Sequence, residues 1–303
     1  MKKSPPLVSV IIPSFNYDSY LKDALNSVLG QSYQNFEIIV VDDGSSDFSP
    51  EIIFDYEKRL SNIKVYFHKD RRNLGLPETL KLGISKASGE WIAFLEADDV
   101  WNPLCLEKRL DAIKDADVAF CCNAISPILE GHATDIWFKS YVPRVQRKLV
   151  EIQKKNGVFD LQDLILEENY IPTFSCVMVK KKLLESCDFA SPVNAWLDWY
   201  LWSQVFQKTR GVFVELPLTQ WRLHSDSQNS RKTLTGFLRN YAHFRRRLSD
   251  KFLSTQLENK ERKIRRLREP VLLPLTRRCI LGIQEVGFLL FFQQVLKRFK
   301  KFK

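Results

Sequence analysis

The feature that most restricts the fold is an alternation of apolar, β-branched runs with segments of helical periodicity. "LVSVIIPSFN", residues 7–16, is one such run, ended by Pro13. Behind it Leu21, Ala24, Leu25, Val28 and Leu29 recur at helical spacing, with Gly30 as a stop. "FEIIVVDDGSSD" repeats the pattern. Ile38 to Val41 are consecutive apolar residues, too continuous for a strand with one wet face. "IKVYFHK" predicts a third strand, "PETLKLGISKAS" a helix and "EWIAFLEADD" a fourth strand. Strands alternating with helices imply an α/β fold whose sheet is mostly parallel and covered on both faces.

Such sheets bind ligands at the carboxyl ends of their strands, where the loops emerge. The loops here read "PSFN", "DDGSSD" and "EADD", so their carboxylates should converge. "EADD" is the demanding one. Glu96, Asp98 and Asp99 close an apolar run that begins at Trp91, and clustered carboxylates repel one another unless something positive is bound. Beyond residue 103 the alternation weakens. "DVAFCCNAI" reads as a strand, "TFSCVMVKKKLLES" as strand then helix, "WLDWYLWSQVFQKT" as a Trp-rich helix, and "GVFVELPLTQWRLH" as a strand leading to a polar loop.

With 303 residues, 45% hydrophobic and 27% charged, the chain has ordinary globular usage and room for one large domain with an appendage. Its net charge of +10 is unevenly placed: residues 231–303 hold 20 of the 46 Lys and Arg but 5 of the 36 Asp and Glu. A mildly acidic body therefore carries a strongly basic tail, which suits an anionic partner. The cysteines, Cys105, Cys121, Cys122, Cys176, Cys187 and Cys279, lack zinc-site spacing and disulfide density, and fit a reduced cytoplasmic setting. "MKKSPPLVSVIIPSF" reads as the first strand instead of a signal. No G-x-G-x-x-G, P-loop, G-x-S-x-G or H-E-x-x-H pattern occurs, so those chemistries lack their motifs.

"VSVIIPSFNYDSYLKDALNSVLGQSYQNFEIIVVDDGSSD", "NLGLPETLKLGISKASGEWIAFLEADDVW" and "WLDWYLWSQV" with "WRLH" together resemble the family 2 glycosyltransferases of the GT-A fold, in order and approximate spacing over residues 7–230. The resemblance implies that Pro13, Phe15 and Asn16 border a nucleotide base and that Asp43 accepts from the uracil N3–H, as an acceptor-only carboxylate can. Helix capping by Asp47 or Ser46 is the alternative for that loop. Glu96-Ala97-Asp98 would be the family's Asp-x-Asp motif, Glu96 and Ala97 on the nucleotide side and Asp98 binding Mg²⁺ or Mn²⁺ against the phosphates. Such hard cations take one or two protein carboxylates plus phosphate and water. Glu96 stands where Asp is commoner, and Asp99 would support the metal or cap the next turn. Arg72 would contact phosphate or base, or else be solvated. Arg222 would neutralise phosphate charge, and His224 would meet metal or diphosphate, with an ordinary loop histidine as the alternative. Asp198 would be the base that deprotonates the acceptor hydroxyl, with Leu197 where the family commonly has Glu. The competing reading makes it a surface Asp on a helix whose Trp196, Trp199 and Trp202 pack.

Residues 1–230 are thus expected to form the catalytic domain and 231–303 a basic helical region. Cys279 to Leu296 is interrupted by Gln284, Glu285, Gln293 and Gln294, which argues against a spanning helix. Phe288, Phe292, Val295, Phe299 and Phe302 follow helical spacing while Lys297, Arg298, Lys300 and Lys301 gather elsewhere, which predicts a helix lying in an anionic membrane interface. Packing on the catalytic domain and nucleic-acid binding are the alternatives, but interleaved rings serve lipid better than a duplex, so no nucleic acid is expected. The chain reads as a hexosyltransferase-type enzyme of polysaccharide biosynthesis, cytoplasmic and peripheral at the inner face of the cell membrane. It would move a sugar, with inversion, from a UDP-sugar to a glycan or lipid-linked hydroxyl. The rival is a non-catalytic nucleotide-sugar-binding protein of the same fold, favoured only by Glu96 and Leu197.

Overall fold

The computed structural model describes residues 4–130, 136–162, 164–166, 168–190 and 196–224, together with 244 and 248. Its first part is the expected alternation: β1 (Val8–Ser14), α1 (Asp18–Leu29), β2 (Phe36–Asp42), α2 (Ser49–Arg59), β3 (Ile63–Phe67), α3 (Leu76–Lys86) and β4 (Trp91–Phe94). Only α2 lacks a counterpart among the sequence expectations.

Successive side chains of a strand point to opposite faces, and here both faces are dry. Ile11 and Ile39 enter one core with Leu80 and Ile84 of α3, whereas Val10, Ile12, Ile38 and Val40 enter a second core with Leu21 and Leu25 of α1 and Ile53 of α2. That double burial is why Ile38 to Val41 shows no polar alternation. Gly83 permits the close fit of α3, since a Cβ there would lie 2.7 Å from the Ile11 Cγ2.

The second part runs β5 (Val100–Trp101), α4 (Cys105–Ile113), β6 (Phe120–Leu129), α5 (Ile136–Asn156), β7 (Val177–Lys180), α6 (Lys181–Glu185), α7 (Leu197–Val205) and β8 (Gly211–Leu223). One sheet holds all eight strands in the order β3-β2-β1-β4-β7-β6-β8-β5. The pairings of β1 with β2 and β4, of β2 with β3 and of β6 with β8 are parallel. The antiparallel ones involve β7 with β4 and β6, and β5 with β8. The mostly parallel sheet therefore carries an inserted strand, β7, which enters from the opposite end after α5 has crossed the sheet.

On α4 the cation of Arg109 is fully buried. It donates to Asn123 Oδ1 at 2.8 Å and to the Ser175 carbonyl at 2.7 Å, and lies 4.7 Å over the Trp101 ring. Through these neutral acceptors Arg109 ties the 173–176 turn to α4 and β6. Burial also pushes the Cys105 thiol up to about 11 and those of Cys121 and Cys176 up to about 12, so they stay protonated. No disulfide joins the described cysteines.

The packed core does not stop at residue 230. Phe244 and Leu248 are both helical and 0% exposed, and both belong to the core that contains α7. The expected interfacial stretch, from Phe288 to Phe302, lies outside the described residues. Among the described residues no helix is long and apolar enough to cross a membrane.

Candidate functional site

The loops after β1 and β2 are laced together at the carboxyl edge of the sheet. Asn16, at φ 57°, donates its backbone N–H to Ser45 Oγ at 3.0 Å and accepts at Oδ1 from the Ser46 N–H at 2.8 Å. Asp47 accepts from the N–H groups of Asp18 at 2.9 Å and Ser49 at 3.0 Å, while Asp18 accepts from Phe48 at 3.3 Å, so α1 and α2 share their N-terminal caps. Capping in this loop thus falls to Asp47. Asp43 is buried and receives the N–H groups of Leu74 at 2.7 Å and Gly75 at 3.0 Å, which fixes the entry to α3. An ionised carboxylate has about four acceptor positions, so further acceptance remains open to it. Gly44, at φ 81°, lets residues 71–73 cross: a Cβ there would lie 2.7 Å from the Arg71 carbonyl oxygen and 2.9 Å from the Asn73 nitrogen. Around this junction Pro13 is half-buried, and Phe15 and Arg72 are exposed.

The carboxylates after β4 form the centre. Asp98 Oδ2 lies 3.1 Å from His224 Nε2, which the end of β8 carries back to the edge. Both rings of α1's first turns border the imidazole, Tyr20 at 4.8 Å and Tyr17 edge-on at 6.1 Å between centroids. Burial and the charges of Asp98, Glu96 and Asp99 hold the Tyr17 phenol far above its ordinary value, so it is a neutral hydrogen-bond partner of Asp98. Glu96 accepts from Thr173 Oγ1 at 2.5 Å, and its N–H donates to Ser175 Oγ at 2.9 Å. Burial first, then the charge of Asp98 and also that of Asp198, push the Glu96 carboxyl up to about 8. Ala97 is buried. Asp99 is buried too and accepts from the Arg222 N–H at 2.9 Å, so it anchors β8 instead of capping a turn.

Arg222 is engaged within the protein. Its Nε donates to the Asp98 carbonyl at 2.8 Å, Nη1 to Glu130, and Nη2 to Asp23 at 3.2 Å. Three of five N–H groups are taken up, and the side chain works here as a tie among α1, β6 and β8.

Asp198 lies in the first turn of α7, half-buried, while Trp199 and Trp202 are buried. Asn169 Nδ2 donates to its Oδ2 at 2.7 Å. The Asn169 segment is itself clamped to α5: Arg144 and Glu168 form paired hydrogen bonds of 2.6 Å, and the Tyr141 hydroxyl donates to the Asn169 carbonyl.

Residues 9–187 match the family model for Glycosyl transferase family 2. The chain belongs to that family. An uncharacterised glycosyltransferase of Nostoc sp. is 32% identical over 197 residues, 65% of this chain and 56% of the relative. A putative teichuronic acid biosynthesis glycosyltransferase of Bacillus subtilis, TuaG, is 39% identical over 121 residues, 40% of this chain and 47% of the relative. The chain thus spans about half the length of these curated relatives. Among solved structures, TarS 1–349 of S. aureus, in complex with UDP-GlcNAc, shares the fold with a TM-score of 0.65 at 19% identity, covering 88% of this chain and 72% of that one. A mannosyltransferase of Pyrobaculum calidifontis, in complex with GDP-Man and Mn²⁺, gives 0.57 at 14% identity over 97% of this chain and 81% of that one.

Whether this family 2 chain fits a divalent ion can be judged from its donors. Among the described residues no three metal-ligating side chains gather into a cage. Asp98 and His224 offer two facing donors, and the acids at Glu96 and Asp99 are raised first by burial and then by the neighbouring carboxylates. That fits an ion completed by phosphate and water. Sequence reading missed Tyr17, Thr173, Asn169 and Glu130. Only Tyr17 had a signal, its place directly after the "PSFN" loop.

Proposed function

We propose that this chain is a metal-assisted, inverting glycosyltransferase that moves a sugar from a nucleoside diphosphate sugar, foremost a UDP-sugar, to a hydroxyl of a surface glycan or lipid-linked acceptor. The observation that carries the reading is the Asp98–His224 pair, 3.1 Å apart at the carboxyl edge of the sheet, beside Glu96 and the loops of Asp43 and Asn16. The charge of Asp198 also reaches Glu96, in keeping with a second carboxylate on the same side of the molecule. Asp43 and the loops around Asn16 and Phe15 receive the base, with Arg72 at the rim. Asp98 and His224 hold Mg²⁺ or Mn²⁺, which when bound stabilises the leaving diphosphate as a Lewis acid. Arg222 keeps His224 in place and lends its charge to the phosphates from behind. Asp198 takes the acceptor proton as its oxygen attacks the anomeric carbon, and a single displacement inverts configuration. The complexes of TarS with UDP-GlcNAc and of the Pyrobaculum enzyme with GDP-Man and Mn²⁺ support the donor class, and the name of the TuaG relative supports a polysaccharide acceptor.

The test is turnover of a panel of nucleotide sugars by purified protein with a lipid extract as acceptor. UDP or GDP release that needs Mn²⁺ and stops with chelator is expected. Tight nucleotide binding without release would instead support the binding-protein rival. The basic region is proposed to hold the enzyme at anionic lipid, each nearby Lys or Arg adding about 1 kcal/mol. A variant ending at residue 250 should keep UDP binding and leave anionic vesicles, whereas full-length protein should be only partly released by high salt. Binding of RNA or DNA in place of vesicles would overturn that assignment.

A further inference from the structure

Trp196 begins α7 in the left-handed region, at φ 57° and ψ 33°, and no side chain caps the helix there. A bulky residue rarely adopts that conformation, and it persists only where the surroundings enforce it. Its carbonyl accepts the first helical hydrogen bond, from the Tyr200 N–H at 2.9 Å, so this turn sets the direction in which the first turn of α7 presents Asp198. Among the described residues, one side chain packed on this turn comes from beyond residue 230. The ring of Phe244, wholly buried, sits 5.6 Å from the Trp196 ring and 5.0 Å from that of Trp199, and Leu248, equally buried, joins the same core. Trp196 lies two residues before Asp198 and Trp199 directly after it, so one ring packs on both sides of the carboxylate in sequence. On its other side Asp198 is held directly by Asn169.

We infer that Phe244 is a positioning residue for Asp198, which makes part of the region beyond residue 230 a component of the acceptor half of the site. The inference rests on the reading of Asp198 as the base. Phe244 touches no reacting atom. It keeps the strained Trp196 turn closed, and without it the first turn of α7 relaxes and the carboxylate loses its aim. The donor half is built on β1, β2 and β4 and does not depend on this contact.

The test uses the full chain and separates local from general damage. In Phe244→Ala, hydrogen exchange should quicken at the amides of Leu197–Val205 and stay unchanged in β1, β2 and β4, with UDP affinity by calorimetry altered less than about twofold. Transfer is followed as nucleotide release from whichever of UDP-GlcNAc, UDP-glucose, UDP-galactose and GDP-mannose turns over fastest, with lipid extract as acceptor. Phe244→Ala should lower kcat about tenfold at nearly constant donor KM, and Phe244→Leu should lower it less. In the Asp198→Asn background either substitution should cost nothing further, because the carboxylate it positions is gone. If the alanine variant does not fold, the leucine variant supports the same cycle. Unchanged exchange at α7, or an equal loss in both backgrounds, overturns the inference and leaves the base assignment standing. If Asp198→Asn does not slow transfer, or no donor is turned over, the underlying reading has failed and the inference falls with it.

Discussion

The proposed donor half and the proposed acceptor half of this site are made by different means. Asp43, Glu96 and Asp98 stand at or just beyond the ends of parallel strands; the loops after β1 and β2 hydrogen-bond to each other, and the loop after β4 is met by the end of β8 and by the turn that leads into β7. Asp198 is hydrogen-bonded by Asn169 from an irregular segment, which Arg144 and Tyr141 clamp to α5, and it lies in a helix turn whose Trp199 packs against Phe244 from beyond residue 230. The first half is positioned by the sheet, the second by contacts between segments distant in sequence. A strand end tolerates little variation in where its next residue points, whereas a short helix on a core of large rings can tilt.

The sharpest way to break this division is a pair of substitutions. Asp198→Asn should leave UDP affinity nearly intact and lower transfer by about 10²-fold or more, the scale of lost general-base help. Asp98→Asn should remove the response of UDP binding to Mn²⁺, measured by calorimetry. If both variants lose donor binding alike, the two halves are one unit and the comparison fails. A smaller effect is expected of Asp43→Ala, about tenfold weaker UDP binding even without metal, part of it from release of the Leu74 and Gly75 N–H groups. Unaltered affinity would return Asp43 to a purely structural role. Gly44→Ala forces a side chain into a left-handed position against the backbone of residues 71–73. It should cost about 1–3 kcal/mol, seen as a Tm lowered by several degrees.

The smallest effect concerns protons. The Glu96 carboxyl is raised to about 8 from an ordinary 4.5, so between those values the native protein binds a proton that the unfolded chain has released. Its stability contribution is complete below the ordinary value and is lost as pH rises through about 8. Buried Asp99 is shifted in the same direction. Metal-free protein should therefore melt a few degrees lower at pH 9 than at pH 5, and Glu96→Gln should flatten that slope. A slope unchanged in Glu96→Gln would place the raised acid elsewhere.

The same division explains what was legible in the sequence. β1, β2 and β4 are continuous apolar runs because both of their faces are covered, and the polar residues that end them are therefore conspicuous. Glu96, Asp98 and Asp43 could be picked out for that reason. α5 buries Tyr141, Val142, Val145 and Leu149 at helical spacing, a signal that was present in the sequence but lies around Pro143, a residue that reads as a helix breaker. Asn169 and Thr173 lie in segments without periodicity, where nothing local says that a side chain has a distant partner. Phe244 was hidden by composition. Followed directly by Arg245, Arg246 and Arg247, it reads as part of a charged tail, although the core claims it.

The shared caps at α1 and α2 have one further consequence. In dinucleotide-binding folds a pyrophosphate rests on bare N–H groups at the head of a helix. Here Asp47 takes the first N–H of α1 and the first of α2, Asp18 takes that of Phe48 just before α2, and Asp43 takes the two that lead into α3. Under the proposed function, a diphosphate arriving here meets an edge where aspartates already hold several of the backbone N–H groups. Much of its counter-charge would then come from outside the backbone, which suits a ligand that arrives with a cation.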